Sequence, residues 1–166
     1  GIGGIAQHVQ GLTKFLENEC HEVEIMSSEN TFTIPIKGLK NPSFMVSSFF
    51  KAKFQKNKLK KTPDIVHAHN IPAALAMKNS SGKKILSLHG VFSQQIDQLH
   101  GKTIGIVSKK YEQDSLNWAD AITVVSKEAF DYYATLRSKV FEDPNAIDIA
   151  SLSLNKDRRY PKQIIF

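Results

Sequence analysis

Three kinds of residue in this chain are placed where they could do chemistry: a glycine cluster, three histidines beside strand-like runs, and a block of lysines. Gly1-Ile2-Gly3-Gly4 stands directly before a run with helical periodicity. Free N–H groups at a helix N-terminus attract anions, and a glycine backbone admits a phosphate without a Cβ in the way. The cluster therefore reads as a diphosphate- or sugar-binding turn, or as a flexible terminus; four residues alone leave both open. His67 and His69 stand two apart in Asp64-Ile65-Val66-His67-Ala68-His69, so on a strand both face one side. A metal pair would need further ligands at a recognisable spacing, and none is present. The other reading is one packed, hydrogen-bonded histidine and a second near the strand's C-terminal end, which borders the ligand crevice of an open α/β sheet. His89 follows Lys84-Ile85-Leu86-Ser87-Leu88 and precedes Gly90. At such a strand-to-loop junction an imidazole can donate to a sugar hydroxyl or a developing charge, or can order its own loop.

His8, His21 and His100 have no comparable setting and read as surface residues. Cys20, the only cysteine, falls at the end of the first helix, where the dipole opposes a thiolate, and reads as structural. Gly-x-Ser-x-Gly, His-Glu-x-x-His, a complete phosphate-binding Gly-x-x-x-x-Gly-Lys-Ser/Thr loop and Gly-x-Gly-x-x-Gly are all absent from the sequence.

The net charge of +6 is unevenly spread. Lys37, Lys40, Lys51, Lys53, Lys56, Lys58, Lys60 and Lys61 fall in one segment without a single acid, and the rest of the chain is slightly acidic. That pattern argues for one local anionic partner and against a nucleic-acid-coating protein. Ser43 to Lys60 reads as a helix with Phe44, Phe49, Phe50 and Phe54 as its apolar members. It could lie in a membrane interface with Lys51, Lys53, Lys56 and Lys58 on anionic headgroups, each worth about 1 kcal/mol before salt screening. It could equally be a solvated lysine face, or a helix packed on its own domain through the phenylalanines.

These residues need a scaffold, and the rest of the sequence supplies an alternation of helices and strands. Ile5, Val9, Leu12, Phe15 and Leu16 recur at helical spacing, and the helix should end near Glu19-Cys20. Glu22 to Met26 alternates like a half-buried strand, and Asn30 to Ile36 reads as a short edge strand. Strands are predicted at Asp64–His69, Lys84–Leu88, Ala121–Val125, Lys139–Glu142 and Lys162–Phe166. Helices are predicted at Pro72–Asn79, Lys109–Trp118 and Lys127–Leu136, the last capped by Ser126. This is the order of a parallel sheet flanked by helices.

The chain has 166 residues, 41% of them apolar and 23% charged, which suits one globular domain that needs no disulfide or metal staple. The lone cysteine fits a reducing compartment, no run approaches the ~20 apolar residues of a membrane span, and no signal peptide opens the chain. The sequence starts on the glycine turn and ends inside Ile164-Ile165-Phe166, so it is expected to be a piece of something longer.

Several segments together carry a family resemblance. Gly3-Gly4-Ile5-Ala6-Gln7-His8-Val9 with Leu12, Leu16 and His21-Glu22-Val23, then Pro63 to His69, Ser87-Leu88-His89-Gly90, Ala119 to Lys127, Pro144-Asn145-Ala146-Ile147-Asp148 and Tyr160 to Phe166 resemble, in order, the group 1 retaining glycosyltransferases of family 4, which have the GT-B fold. The resemblance implies a Rossmann-like three-layer α/β/α fold with a mainly parallel sheet whose first strand is missing here. It implies an N-terminal acceptor-side domain over 1–154, and a linker with the start of a second domain over 155–166. It implies a hexosyltransferase-type enzyme that moves a sugar from a nucleotide-sugar to a hydroxyl of a glycan, lipid or small molecule. A nucleotide-sugar epimerase on the same fold and a non-catalytic α/β binding domain are the alternatives.

By carry-over, His89 is the catalytic residue, and Gly3, Gly4, His69, Ser126 and Lys127 bind substrate. Lys51, Lys53, Lys56 and Lys58 contact the acceptor or a membrane. No cofactor or metal is expected beyond the nucleotide-sugar substrate, and no nucleic acid. The protein is expected in the cytoplasm, with a peripheral place on the inner face of the membrane. The family's donor-nucleotide residues lie in the second domain, so the isolated chain should be inactive. The missing strand should leave a groove in the sheet or be replaced, by Lys162–Phe166 of the same chain or of a neighbour in a strand-exchanged dimer. Cys20 and Ala146 stand where the family usually has glycine.

Overall fold

A computed structural model describes residues 4–36, 38–59, 62–94, 96 and 102–145, with the side chains of 55–59 and 102–105 excepted. In chain order the elements are α1 (Gly4–Asn18), α2 (Lys40–Leu59), β1 (Ile65–His69), α3 (Ile71–Met77), β2 (Lys83–Leu88), α4 (Lys102–Trp118), β3 (Ala121–Val124), α5 (Lys127–Ala134) and β4 (Val140–Glu142). The four strands form one all-parallel sheet in the order β1-β2-β3-β4. The architecture is α/β and Rossmann-like.

The register divides the sheet into two chemically different faces. Side chains alternate along a strand, so Ala68, Leu86, Leu88, Ile122, Val124 and Val140 share one face, and all are buried. Ile71, Ala74 and Met77 of α3, Leu116 of α4, and Ala129 and Tyr133 of α5 complete that core. On the other face His67, His69, Ser87 and Thr123 lie together at the C-terminal half of the strands, with Ile65 and Phe141 exposed. Hydrophobic burial thus holds three helices to one side and leaves a polar, half-open surface on the other.

Helix boundaries follow local chemistry. Ser126 accepts a hydrogen bond from the Ala129 N–H at 3.3 Å and caps α5. Pro72 occupies the first turn of α3, where its missing N–H costs nothing. Helix α4 begins at Lys102, seven residues before the sequence-predicted start, and α2 begins at Lys40. At the end of α1, Cys20 adopts φ +64. The His21 N–H donates to Leu16 O and the Cys20 N–H to Glu17 O, both at 3.0 Å. That pair of bonds is a Schellman cap with cysteine in the left-handed position that glycine usually fills.

Two sequence expectations change. Residues 22–26 and 30–36 form no strand. Alternation is not sufficient for a strand, because a ladder needs a neighbour, and no further strand lies beyond the β1 edge among the described residues. Segment 30–36 is instead strapped along α2. The Ile34 N–H donates to Ser43 Oγ (2.9 Å), Ser47 Oγ donates to Phe32 O (2.5 Å), and Lys51 Nζ donates to Asn30 O (2.6 Å). The predicted strand Lys162–Phe166 and the linker from 155 lie outside the described residues.

Two stability predictions follow from backbone geometry. A Cβ on Gly82 would collide with Pro63 O and stand 2.9 Å from Asp64 O, both backbone atoms. Gly82→Ala should therefore destabilise the domain by about 1–3 kcal/mol, read as a lowered denaturant midpoint. Cys20→Gly should relieve a left-handed strain of roughly 1 kcal/mol. Since no residue of α1 is buried, the gain should appear as slower amide exchange at Asn18–His21 and leave the global transition unchanged.

Candidate functional site

Parallel strands end at one edge, and three consecutive strand ends here carry the polar residues of interest. β1 ends on His69, after which Asn70 turns the chain with φ +78. The Asn70 N–H donates to Ser87 O at 2.7 Å, and its Oδ1 accepts from the Ile71 N–H at 3.3 Å. Asparagine tolerates this left-handed turn because its short side chain bonds locally. β2 ends on Leu88, so His89 opens the next loop, with Gly90 at φ +150. The Val125 N–H donates to Leu88 O at 3.4 Å, so Ser126 and His89 leave adjacent strands side by side. From the other direction, the second turn of α1 brings in His8. Its ring centroid lies 5.5 Å from that of His69 and 5.6 Å from that of His89. His69 stands 6.0 Å from His89 and 4.1 Å from His67.

The four imidazoles have different partners. His67 Nε2 is 2.6 Å from Ser87 Oγ, which is 2.5 Å from Thr123 Oγ1, so a hydrogen-bonded chain crosses three strands. His69 Nδ1 and His89 Nε2 are buried without a hydrogen-bond partner among the described residues. Burial, followed by the neighbouring rings of His67, His8 and His89, pushes the His69 pKa down to about 3. His67 is lowered by burial and then by His8, against an opposing pull from Asp143. His89 is lowered by burial and then by His8. At neutral pH these three rings are therefore uncharged, and each can offer one N–H donor and one acceptor. Such groups suit hydroxyls. Among the described residues no group of three or more His, Cys, Asp or Glu side chains is arranged to hold a metal ion.

The loop after His89 is braced from behind. Glu112 of α4, 1% exposed, accepts from Tyr133 Oη at 2.5 Å and from the Ser93 N–H at 3.3 Å. Tyr133 Oη also accepts from the Phe92 N–H at 3.2 Å. Burial, then the bond to Glu112, raises the Tyr133 pKa, so the phenol stays protonated and keeps donating. Glu112 and Tyr133 thereby fix residues 92–93, three and four positions beyond His89.

A family model described as Glycosyltransferase Family 4 matches residues 2–151. The chain belongs to glycosyltransferase family 4. No curated protein matches it.

In this glycosyltransferase domain the residues expected to bind substrate fall in distinct places. His69 and His89 converge with His8, which the sequence had suggested was a surface residue. Its signal was its position one turn inside a helix that begins on the glycine cluster. Ser126 is exposed and serves as the α5 cap, and Lys127 is exposed beside it. Gly4 opens α1, and a Cβ added there would meet nothing within 4 Å. Gly3 lies outside the described residues, as do the side chains of Lys56 and Lys58. Lys51 and Lys53 lie on α2, away from the imidazoles in sequence and element. No helix among the described residues is long and apolar enough to cross a membrane.

The buried imidazoles give the domain a pH dependence of definite sign. The folded pKa of His69, about 3, lies below its ordinary 6.5. Above pH 6.5 neither state is charged, and the group contributes no slope. Below that, the unfolded chain takes up a proton that the native state refuses. Stability should then fall as pH drops from 6.5 toward 3, by at most about 1.4 kcal/mol per pH unit for this group. Denaturant midpoints measured between pH 7.5 and pH 5 should show a shallower loss in His69→Asn than in the wild type, with the residue due to His67 and His89 persisting.

Proposed function

We propose that this domain is the acceptor-side half of a retaining sugar transferase that uses a nucleotide-sugar donor. The observation that carries this reading is the meeting of His8, His69 and His89 at the C-terminal edge of a parallel sheet, in a chain of glycosyltransferase family 4. The neutral His69 and His89 imidazoles, partly out of water, are good partners for sugar hydroxyls. An N–H aimed at a departing phosphate or an oxocarbenium-like ring favours the transition state over the ground state. His89 is the natural candidate, because its Nε2 is buried and has no partner among the described residues.

Gly4 supports the same reading from another side. None of the described residues occupies the space a Cβ would take, so their packing does not demand glycine there, while close approach of a donor phosphate to the helix start does. Ser126 and Lys127 flank the crevice on the third strand end. A second domain carrying the donor-nucleotide residues completes the reading, with the acceptor a glycan, lipid or small molecule. The lone cysteine is consistent with a cytoplasmic setting.

The test uses the full-length protein with a panel of uridine and guanosine diphosphate sugars. Turnover with retained anomeric configuration is expected. His89→Ala should lower kcat by about 10²-fold or more at unchanged melting temperature. Gly4→Ala should leave the fold intact, since alanine is the better helix former, yet raise the donor KM. Binding of these sugars without any turnover would favour a non-catalytic binding domain, and wild-type kinetics in both variants would overturn the assignment.

A further inference from the structure

The outward side of α2 takes no part in the crevice or in the core. One side of this helix packs on α3, with Ser48 fully buried and Met45 and Ala52 half-buried beside it. Val46, Phe50 and Phe54 recur every fourth residue on the opposite side and are 54%, 61% and 67% exposed. The sequence-predicted phenylalanines of this helix therefore divide: Phe44 and Phe49 are half-buried, while Phe50 and Phe54 face out.

The strapped segment widens this ridge. Its anchor residues Ser43, Ser47 and Lys51 form the row next to Val46, Phe50 and Phe54, three positions away around the helix. The strap leaves Phe32 and Ile36 exposed alongside, followed by Leu39 before α2 begins. Six large apolar side chains thus stand exposed along α2 and its strap, where scattered single residues would need no explanation.

The charge carried by α2 itself has a single sign, with the acid Glu29 at the start of the strap beside it. Lys40 and Lys53 are exposed on α2, and the sequence from 37 to 61 contains eight lysines and no acid. A protein partner would ordinarily meet a mixed rim of both signs. An exposed aromatic ridge on a helix whose only charges are lysines matches a soft apolar layer beneath a negative plane.

We propose that the outer face of α2, with the strapped segment beside it, docks on an anionic lipid bilayer. The ridge enters the headgroup boundary and the lysines lie among the phosphates. This surface is separate from the imidazole crevice, so the proposal does not depend on which sugar is transferred, or on whether one is.

Vesicle sedimentation of the full-length protein tests it, with phosphatidylcholine vesicles containing about 30 mol% phosphatidylglycerol, and phosphatidylcholine alone, at about 0.1 M salt. Binding to the anionic vesicles is expected, with affinity at least about tenfold lower on the neutral ones. Phe50→Ser with Phe54→Ser should weaken the anionic binding by about tenfold or more, at unchanged melting temperature because both side chains are exposed. Lys40→Gln with Lys53→Gln should weaken it by about 25-fold, at roughly fivefold per lysine, without affecting neutral vesicles. This pair serves as the test should the phenylalanine variant fail to fold. No sedimentation with anionic vesicles, equal affinity for both vesicle types, undiminished binding by the variants, or a ridge engaged in self-association that the serine variant disperses would each overturn the proposal.

Discussion

Parallel direction is the constraint on which this domain rests. Four strands that all run one way must return through crossovers, and the helices that make those returns bury their apolar stripes against Ala68, Leu86, Leu88, Ile122 and Val124. The same constraint collects the strand ends at one edge, where the chain must turn into a helix or loop. The candidate site follows from that collection. His69, His89 and Ser126 are distant in sequence and share an edge because their strands share a direction. The face opposite the core is polar for the same reason: alternation that points leucine and valine inward points histidine, serine and threonine outward.

The crevice gains its chemistry from dryness and crowding together. Any one imidazole at the surface would titrate near neutrality. Beside other rings and partly out of water, His69 is held neutral far below that. Neutral rings at His67, His69 and His89 keep acceptors as well as donors, which imidazolium ions would lack. The Ser87 and Thr123 hydroxyls extend the network into the sheet and occupy His67, which leaves His69 and His89 with nitrogen atoms unengaged by the described residues.

Much of the scaffold was legible in the sequence. Ile65–His69, Lys84–Leu88 and Ala121–Val124 are short apolar runs bounded by turn residues, and Ser126 announces its helix by capping chemistry. Family membership was legible too, because segments such as Ser87-Leu88-His89-Gly90 keep their order along the chain. Other features were not. The strand-like alternation at 22–26 gives no strand, since pairing is a property of two segments. The beginning of α4 was missed because Ile104, Gly105, Ile106 and Val107 are weak helix formers that the fold overrides. His8 looked unremarkable because its company is set by how α1 lies against the sheet, which periodicity does not encode. The split of the α2 phenylalanines into inner and outer sets was likewise invisible until α3 and the strap had chosen their sides.

The brace behind His89 carries a consequence for how such a domain can drift over time. Glu112 and Tyr133 sit on different helices, yet one carboxylate oxygen and one phenol together serve each other and two loop amides. A shorter acid at 112 withdraws the acceptor of the Ser93 N–H, and a phenylalanine at 133 leaves the Phe92 N–H without its acceptor and the carboxylate with the Ser93 N–H alone. Neither position can change alone without leaving a buried polar atom unmatched. Lineages that alter one should be found to have altered the other, and the two helices are thereby tied into a single inherited unit.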